Sequence, residues 1–185
     1  MKLQAGDALI IVDLQRDFCE GGALEIPDAD ATVPVINGLI AEADAAGVPI
    51  FASRDWHPPG HASFRESGGP WPAHCVQSGA GAEFHPDLRL PERVIIVSKG
   101  EAPERDQLSA FDATGLADRL RGLGVRRVVI VGLALDVCVL ETALDAALEG
   151  FETHVWLAGA RALTAEGARD AVKKMRKAKV VIEKD

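Results

Sequence analysis

Positive charge is in short supply in this sequence. Twenty Lys and Arg stand against 28 Asp and Glu, giving a net charge of −8 and a pI near 5.1. Phosphate-rich surfaces repel such a chain, so neither nucleic acid nor an anionic membrane is an expected partner. Cysteine is scarce as well. Cys19, Cys75 and Cys138 are odd in number and widely spaced, which excludes a disulfide framework and suits a reducing compartment. No run of about 18 apolar residues occurs that would span a membrane. The opening stretch "MKLQAGDALIIVDLQ" brackets its apolar run between Asp7 and Asp13 and is followed by no small-residue cleavage site, so it reads as a strand and not as a signal peptide. A cytoplasmic protein is the expectation. The sequence also lacks an HExxH or CxxC pair, an internal repeat, a linker and any low-complexity tract.

What is present is ordinary globular composition, 48% hydrophobic and 26% charged. A chain of 185 residues suffices for one domain, here residues 1–185, with a core that needs no covalent staples. Short β-branched runs alternate with helical patterns along it. Strands are expected at 8–14, 48–53, 93–98, 126–134, 152–158 and 179–183. Between them, helical spacing runs from Thr32 to Ala46, from Asp112 or Thr114 to Leu123, from about Asp136 to Glu149, and from Thr164 through the Lys- and Arg-rich 173–177 segment. Thr32, Asp136 and Thr164 stand where caps belong, and Gly47, Gly124 and Gly150 where helices stop. Strict alternation predicts an α/β domain, doubly wound, with a mostly parallel six-stranded sheet and helices on both faces, a Rossmann-like three-layer arrangement.

One stretch breaks the alternation. Residues 55–91, opening with "DWHPPGHASF", hold six of the ten Pro, four of the five His and two of the three Trp, with no sustained period. A structureless segment this long inside a compact domain is usually functional. Its aromatic side chains are costly to leave in water, so an ordered loop folded over a site is expected. Asp55, His57, His61, Glu66, His74 and His85 are its candidate metal donors, because neutral imidazole with carboxylate suits Zn²⁺, Mn²⁺ or Fe²⁺. Spacing alone does not select among them.

Ligands of an open parallel sheet bind outside the carboxyl ends of its strands. The residues that follow the first four expected strands are Asp13, Asp55, Lys99 and Cys138. Singly, each has an ordinary explanation: a turn residue, a solvated lysine, a buried small thiol. Arrival at one edge favours a shared role. If Asp136 caps the following helix, Cys138 lies in its first turn, where free N–H groups and a nearby Lys favour a thiolate. Cys, Asp and Lys together form a complete nucleophilic set.

With these motifs in place, the chain resembles the nicotinamidases (pyrazinamidases) of the isochorismatase-like cysteine hydrolases. The likeness runs from "ALIIVDLQRDFCEGGAL" through "DWHPPGHASF", "WPAHCV", "VSKG" and "LSAF" to "GLALDVCVLETALDA". It implies a catalytic triad of Asp13, Lys99 and Cys138, metal ligands Asp55, His57 and His74, and an aromatic enclosure of the pyridine ring by Phe18 and Trp71. It also implies an oxyanion hole from the N–H groups of Ala134 and Cys138, with a cis peptide before that Ala. Glu66 falls where some members place a further carboxylate near the metal, and His61 beside the site without being a direct ligand. The implied reaction is hydrolysis of nicotinamide, and of pyrazinamide, through a Cys thioester, within NAD salvage. A divalent metal, zinc first and iron or manganese after it, would position the ring. The expected partner is this small molecule, and a homo-oligomer is compatible with the pattern. Leu135 and Val137 depart from the Thr-Asp-Tyr that many members carry before the nucleophile, and the chain has no Tyr at all. The alternative readings are a related cysteine hydrolase acting on another small amide, a metal-dependent oxygenase, and a non-catalytic ligand-binding protein.

Overall fold

The computed structural model describes residues 2–184. Six strands form one sheet: β1 Asp7–Val12, β2 Ile50–Asp55, β3 Ile95–Lys99, β4 Arg127–Leu133, β5 Glu152–Arg161 and β6 Val181–Glu183. Their order is β3-β2-β1-β4-β5-β6, and every pairing is parallel. The sheet is therefore wholly parallel, where the sequence predicted mostly so. β1 is buried at all six positions, as its unalternating apolar run requires for a central strand covered on both faces.

Four helices supply the cover: α1 Val33–Ala45, α2 Leu116–Gly122, α3 Cys138–Leu148 and α4 Ala165–Lys177. Leu116 and Leu120 of α2, Val139 and Ala143 of α3, and Ala171 and Met175 of α4 pack on one face against Ile10, Val128 and Ile130. On the other face, Ile36, Leu39 and Ile40 of α1 meet Leu9, Ile11 and Val129, and irregular chain completes the layer with Leu14, Phe18 and Ile26. Sheet direction reverses in sequence order between β1 and β4, the place where this topology opens a crevice. Close approach of these two strands needs Gly132. Its φ is +117°, and a Cβ there would lie 2.0 Å from the Val12 carbonyl oxygen.

Two of the three expected caps are placed otherwise. Thr32 is itself helical, because a 3-10 turn at Ala29–Thr32 runs straight into α1, and its Oγ1 donates back to Ala29 O at 2.7 Å. Asp136 does not cap α3. Its carboxylate instead accepts the N–H groups of Leu163 (2.9 Å) and Thr164 (3.3 Å), tying the β4–α3 turn to the β5–α4 turn. Thr164 caps α4 as expected, accepting from Gly167 N at 2.9 Å. The connection from β2 to β3, residues 56–94, contains no α-helix, only 3-10 turns at Arg65–Ser67 and Ala80–Ala82.

Candidate active site and metal centre

Four neighbouring strands bring four groups together. Asp13 leaves β1 with φ 47°, turning its carboxylate under the crevice, where it is fully buried. Asp55 and Lys99 are the last residues of β2 and β3, paired in register, and not the first of the loops that follow. Cys138 opens α3 just past β4. Lys99 reaches across β2, so that its Nζ lies 2.5 Å from Asp55 Oδ1, 2.8 Å from Asp13 Oδ2 and 3.6 Å from Cys138 Sγ. Ser53 Oγ donates to Asp13 Oδ1 at 2.7 Å. The other Asp13 oxygen, Oδ2, faces the Lys99 ammonium as a buried ion pair.

The electrostatics follow from burying one cation among three acids. Burial opposes the Lys99 ammonium, but Asp13 and Asp55 more than reverse this and hold its pKa well above the ordinary lysine value. Burial raises the Asp13 carboxyl despite the facing ammonium. Asp55 is buried as well, but its closer contact with Lys99 and its His57 neighbour hold it below the usual carboxylate range. Burial pushes the Cys138 thiol well up, and the Asp13 and Asp55 charges add to that, against the pull of Lys99. The helix start and the lysine therefore do not yield a resting thiolate, as the sequence had suggested. The ammonium is already shared by two carboxylates, and the Asp13, Asp55 and Cys138 side chains offer atoms within 4.8 Å of one another, close enough for a proton to pass between thiol and carboxylate.

Beside this centre, Asp55, His57 and His74 offer three buried donor atoms within 4.8 Å of one another. Each imidazole sets its Nδ1 against a backbone carbonyl, His57 on Gly100 O at 3.0 Å and His74 on Pro72 O at 2.8 Å. That fixes the Nδ1–H tautomer and leaves both Nε2 lone pairs turned to Asp55 Oδ2, 3.7 and 3.8 Å away. The set fits a borderline divalent cation: two neutral imidazoles, one carboxylate, outer hydrogen bonds in place. Gly100 admits the His57 ring, since a Cβ there would lie 2.4 Å from its Cε1. Asp55 thus belongs to both centres, one oxygen on Lys99 and the other facing the imidazoles.

His61 lies stacked on His57 with ring centroids 4.2 Å apart, and both its nitrogens are engaged, by Ser63 Oγ and Arg105 O. It supports the site and donates nothing to it. Glu66 is not brought into the donor group. It sits exposed on the Arg65–Ser67 turn, which points a carboxylate to solvent. His85 lies elsewhere, on Asp30.

A narrow slot opens above Cys138. Phe18, Trp71, Leu24, Leu108, Val137 and Leu163 form its apolar walls, Asp55, His74 and Cys138 with the Ala134 backbone its inner polar end, and the exposed Asp106 also lines it. The Leu133–Ala134 peptide is cis. Leu135 N donates to Arg161 O, and Val137 N and Val139 N both donate to Ala134 O. Among the described residues, no acceptor takes the N–H groups of Ala134 or Cys138, which are therefore free for an oxyanion.

Sequence reasoning missed Gln15. Its buried side chain donates to Asp55 O (2.8 Å) and Ala82 O (2.9 Å) and accepts from Asp55 N (2.8 Å). The amide stands in for a ladder partner after β1 has turned away, gripping the backbone of the shared Asp55. A signal existed, since Gln15 is a polar residue two positions after Asp13, but its partner lies 40 residues away. Leu24 and Leu108 fall inside the family motifs without a role assigned to them, and Ser53 and Leu163 carried no signal of their own.

An isochorismatase domain model matches residues 7–184. The chain is 40% identical over 175 residues to the nicotinamidase of Escherichia coli (strain K12), covering 83% of this chain and 82% of that protein. It superposes on the pyrazinamidase of Pyrococcus horikoshii, solved in complex with zinc, with a TM-score of 0.94 and 44% identity over 97% of this chain and 99% of that one. A protein from L. infantum solved in complex with nicotinate matches with a TM-score of 0.91 and 36% identity, covering 100% and 96%.

Proposed function

The chain belongs to the isochorismatase domain family, and on that premise we propose that it is a nicotinamidase, an amidohydrolase that converts nicotinamide to nicotinate and ammonia. The observation that carries the reading is the junction of two centres at one residue, Asp55, between a Cys–Asp–Lys cluster and a His₂Asp donor set. An oxygenase would use the donor set but has no work for Cys138, and a binding protein has none for a buried thiol beside an acid and a lysine.

Asp55, His57 and His74 would hold a divalent metal, zinc being the first choice for these donors, and it would supply a Lewis-acidic point that orients the pyridine ring. Phe18 and Trp71 hold the ring in the slot, which places the carboxamide over Cys138 and excludes bulk water. Asp13 takes the thiol proton as Sγ attacks the amide carbon. Lys99 keeps its charge and stabilises the negative charge moving between sulfur and carboxylate. The N–H groups of Ala134 and Cys138 receive the oxyanion. Asp13 then gives its proton to the leaving nitrogen, the C–N bond breaks, and ammonia departs from a thioester. Asp13 next deprotonates a water that attacks the thioester carbon, and the thiol is restored as nicotinate forms.

The nucleophile test is ammonia release from nicotinamide by purified protein, beside Cys138→Ala and chelator-treated samples. Turnover should fall by on the order of 10⁴-fold or more without the thiol. It should also fall on chelation and return with zinc. Folded, zinc-loaded protein that releases no ammonia from nicotinamide would move the substrate to another small amide. That second reading draws on Val137 and Leu108, apolar walls of the slot in a chain that has no Tyr to offer there.

A further inference from the structure

Outside this centre the structure holds another mixed donor group. Cys19, Asp30 and His85 offer a sulfur, a carboxylate oxygen and a ring nitrogen, all within 4.8 Å of one another. They come from three separate segments: the turn after Phe18, the 3-10 turn before α1, and the chain just before β3. Cys19 is buried and His85 nearly so, whereas the Asp30 side chain is 43% exposed and opens the cluster to solvent.

The surroundings favour a cation. The hollow over the cluster is lined by Asp17, Glu20 and Asp30 on the acidic side and by Arg16 alone on the basic side. Arg16 pairs with Glu83, with Nε 3.3 Å from its carboxylate, which partly neutralises the one cation of this lining. Asp30 accepts from Glu20 N at 2.9 Å and pairs with His85 Nε2 at 2.9 Å. His85 Nδ1 accepts from Asp87 N at 3.1 Å, which assigns the ring proton to Nε2 in the metal-free arrangement. Cys19 has no such partner. Burial and the Asp30 charge push its thiol up to about 12, so it stays neutral until a cation arrives.

We propose that Cys19, Asp30 and His85 form a second divalent-metal site of the zinc type, with three protein ligands and an open position facing the hollow. Sulfur, imidazole and carboxylate together suit Zn²⁺, or Co²⁺ and Cd²⁺ as probes, and disfavour Mg²⁺ and Ca²⁺. On binding, Cys19 loses its proton to solvent and its sulfur bonds the metal. The His85 ring proton moves from Nε2 to Nδ1, and the exposed Asp87 N–H turns to water. The Asp30–His85 hydrogen bond is replaced by two metal–ligand bonds. One proton leaves per metal bound, so affinity rises with pH. Because Cys19 follows Phe18 directly, an occupied site pins the turn that forms one wall of the slot.

The test uses the full chain carrying Cys138→Ala, which removes the thiol of the Asp13–Asp55 cluster; Cys75 stays in every sample, so the Cys19→Ser comparison isolates the Cys19 sulfur. Chelator competition and dialysis against zinc should give about two ions per chain, falling to about one with Cys19→Ser and, separately, with Asp30→Asn. Cobalt in the same background should show a thiolate-to-metal charge-transfer band that Cys19→Ser abolishes. Asp30 is the second variant because it is exposed and its loss leaves the core intact. One ion per chain in the Cys138→Ala protein, removed by His57→Ala and indifferent to Cys19→Ser and Asp30→Asn, overturns the proposal. That result leaves the amidase reading untouched, because the Asp55–His57–His74 site is read out separately.

Discussion

The β4–α3 junction and the β2–β3 crossover both serve the same crevice, yet they are built on opposite principles. At the junction a buried strand ends, the chain turns within four residues, and a helix begins on Cys138, the proposed nucleophile. Its functional groups are largely backbone: free N–H groups and a thiol held by the first helical turn. The crossover spends 39 residues, 56–94, on irregular chain with no α-helix, and its groups are side chains each locked by its own hydrogen bond, His74 on Pro72 and His61 on Ser63 nearby in sequence, His57 on Gly100 beyond β3. A regular element positions what lies at its end. An irregular one must satisfy every buried polar atom individually, which is why this loop is dense in His and Pro.

Asp55 is where the two regions meet, and replacing it is the strongest way to break the division between them. Asp55→Asn should lower zinc affinity by more than about 100-fold and lower kcat in the zinc-saturated protein as well. Chelator competition and steady-state kinetics read the two effects separately. A change in zinc affinity with kcat intact would make Asp55 a ligand only. Gln15→Met probes the hold on that residue without touching metal, substrate or nucleophile. It removes three buried hydrogen bonds, so zinc affinity should fall about 10–100-fold, with a stability loss of about 3 kcal/mol. Equal zinc affinity in folded protein would make Gln15 a structural filler. The mildest case for the site is Leu120→Ala on the far face. It opens a cavity in the α2 layer and should cost about 2–5 kcal/mol in denaturant melts while zinc affinity stays unchanged. A weakened metal site in that variant would mean the two faces are coupled through the sheet.

Much of this molecule is readable in one dimension. Six apolar runs and their helical spacers name a doubly wound sheet, because side-chain period reports directly on which faces are buried. The carboxyl edge then selects Asp13, Asp55, Lys99 and Cys138 from the acids, lysines and thiols of the chain, since topology places strand ends together whatever their sequence distance. The family motifs single out His57 and His74 among the loop histidines, a choice that spacing left open, and the structure brings both beside Asp55.

Other features exist only once the chain is folded. Asp136 stands where a cap belongs, yet it bonds the turn at Leu163 and Thr164, because a carboxylate takes whichever N–H groups packing brings nearest. Glu66 shares a loop with His57 and His74 but is exposed to water on its 3-10 turn. The state of Cys138 is decided the same way. Local sequence favours a thiolate through the helix start and the lysine, but burial beside two carboxylates that already claim the ammonium favours the thiol. Sequence thus determined which residues reach the crevice, because periodicity and topology are local rules summed along the chain. Protonation and bonding there depend on solvent exclusion and on distances between residues far apart in sequence, and only the tertiary structure sets those.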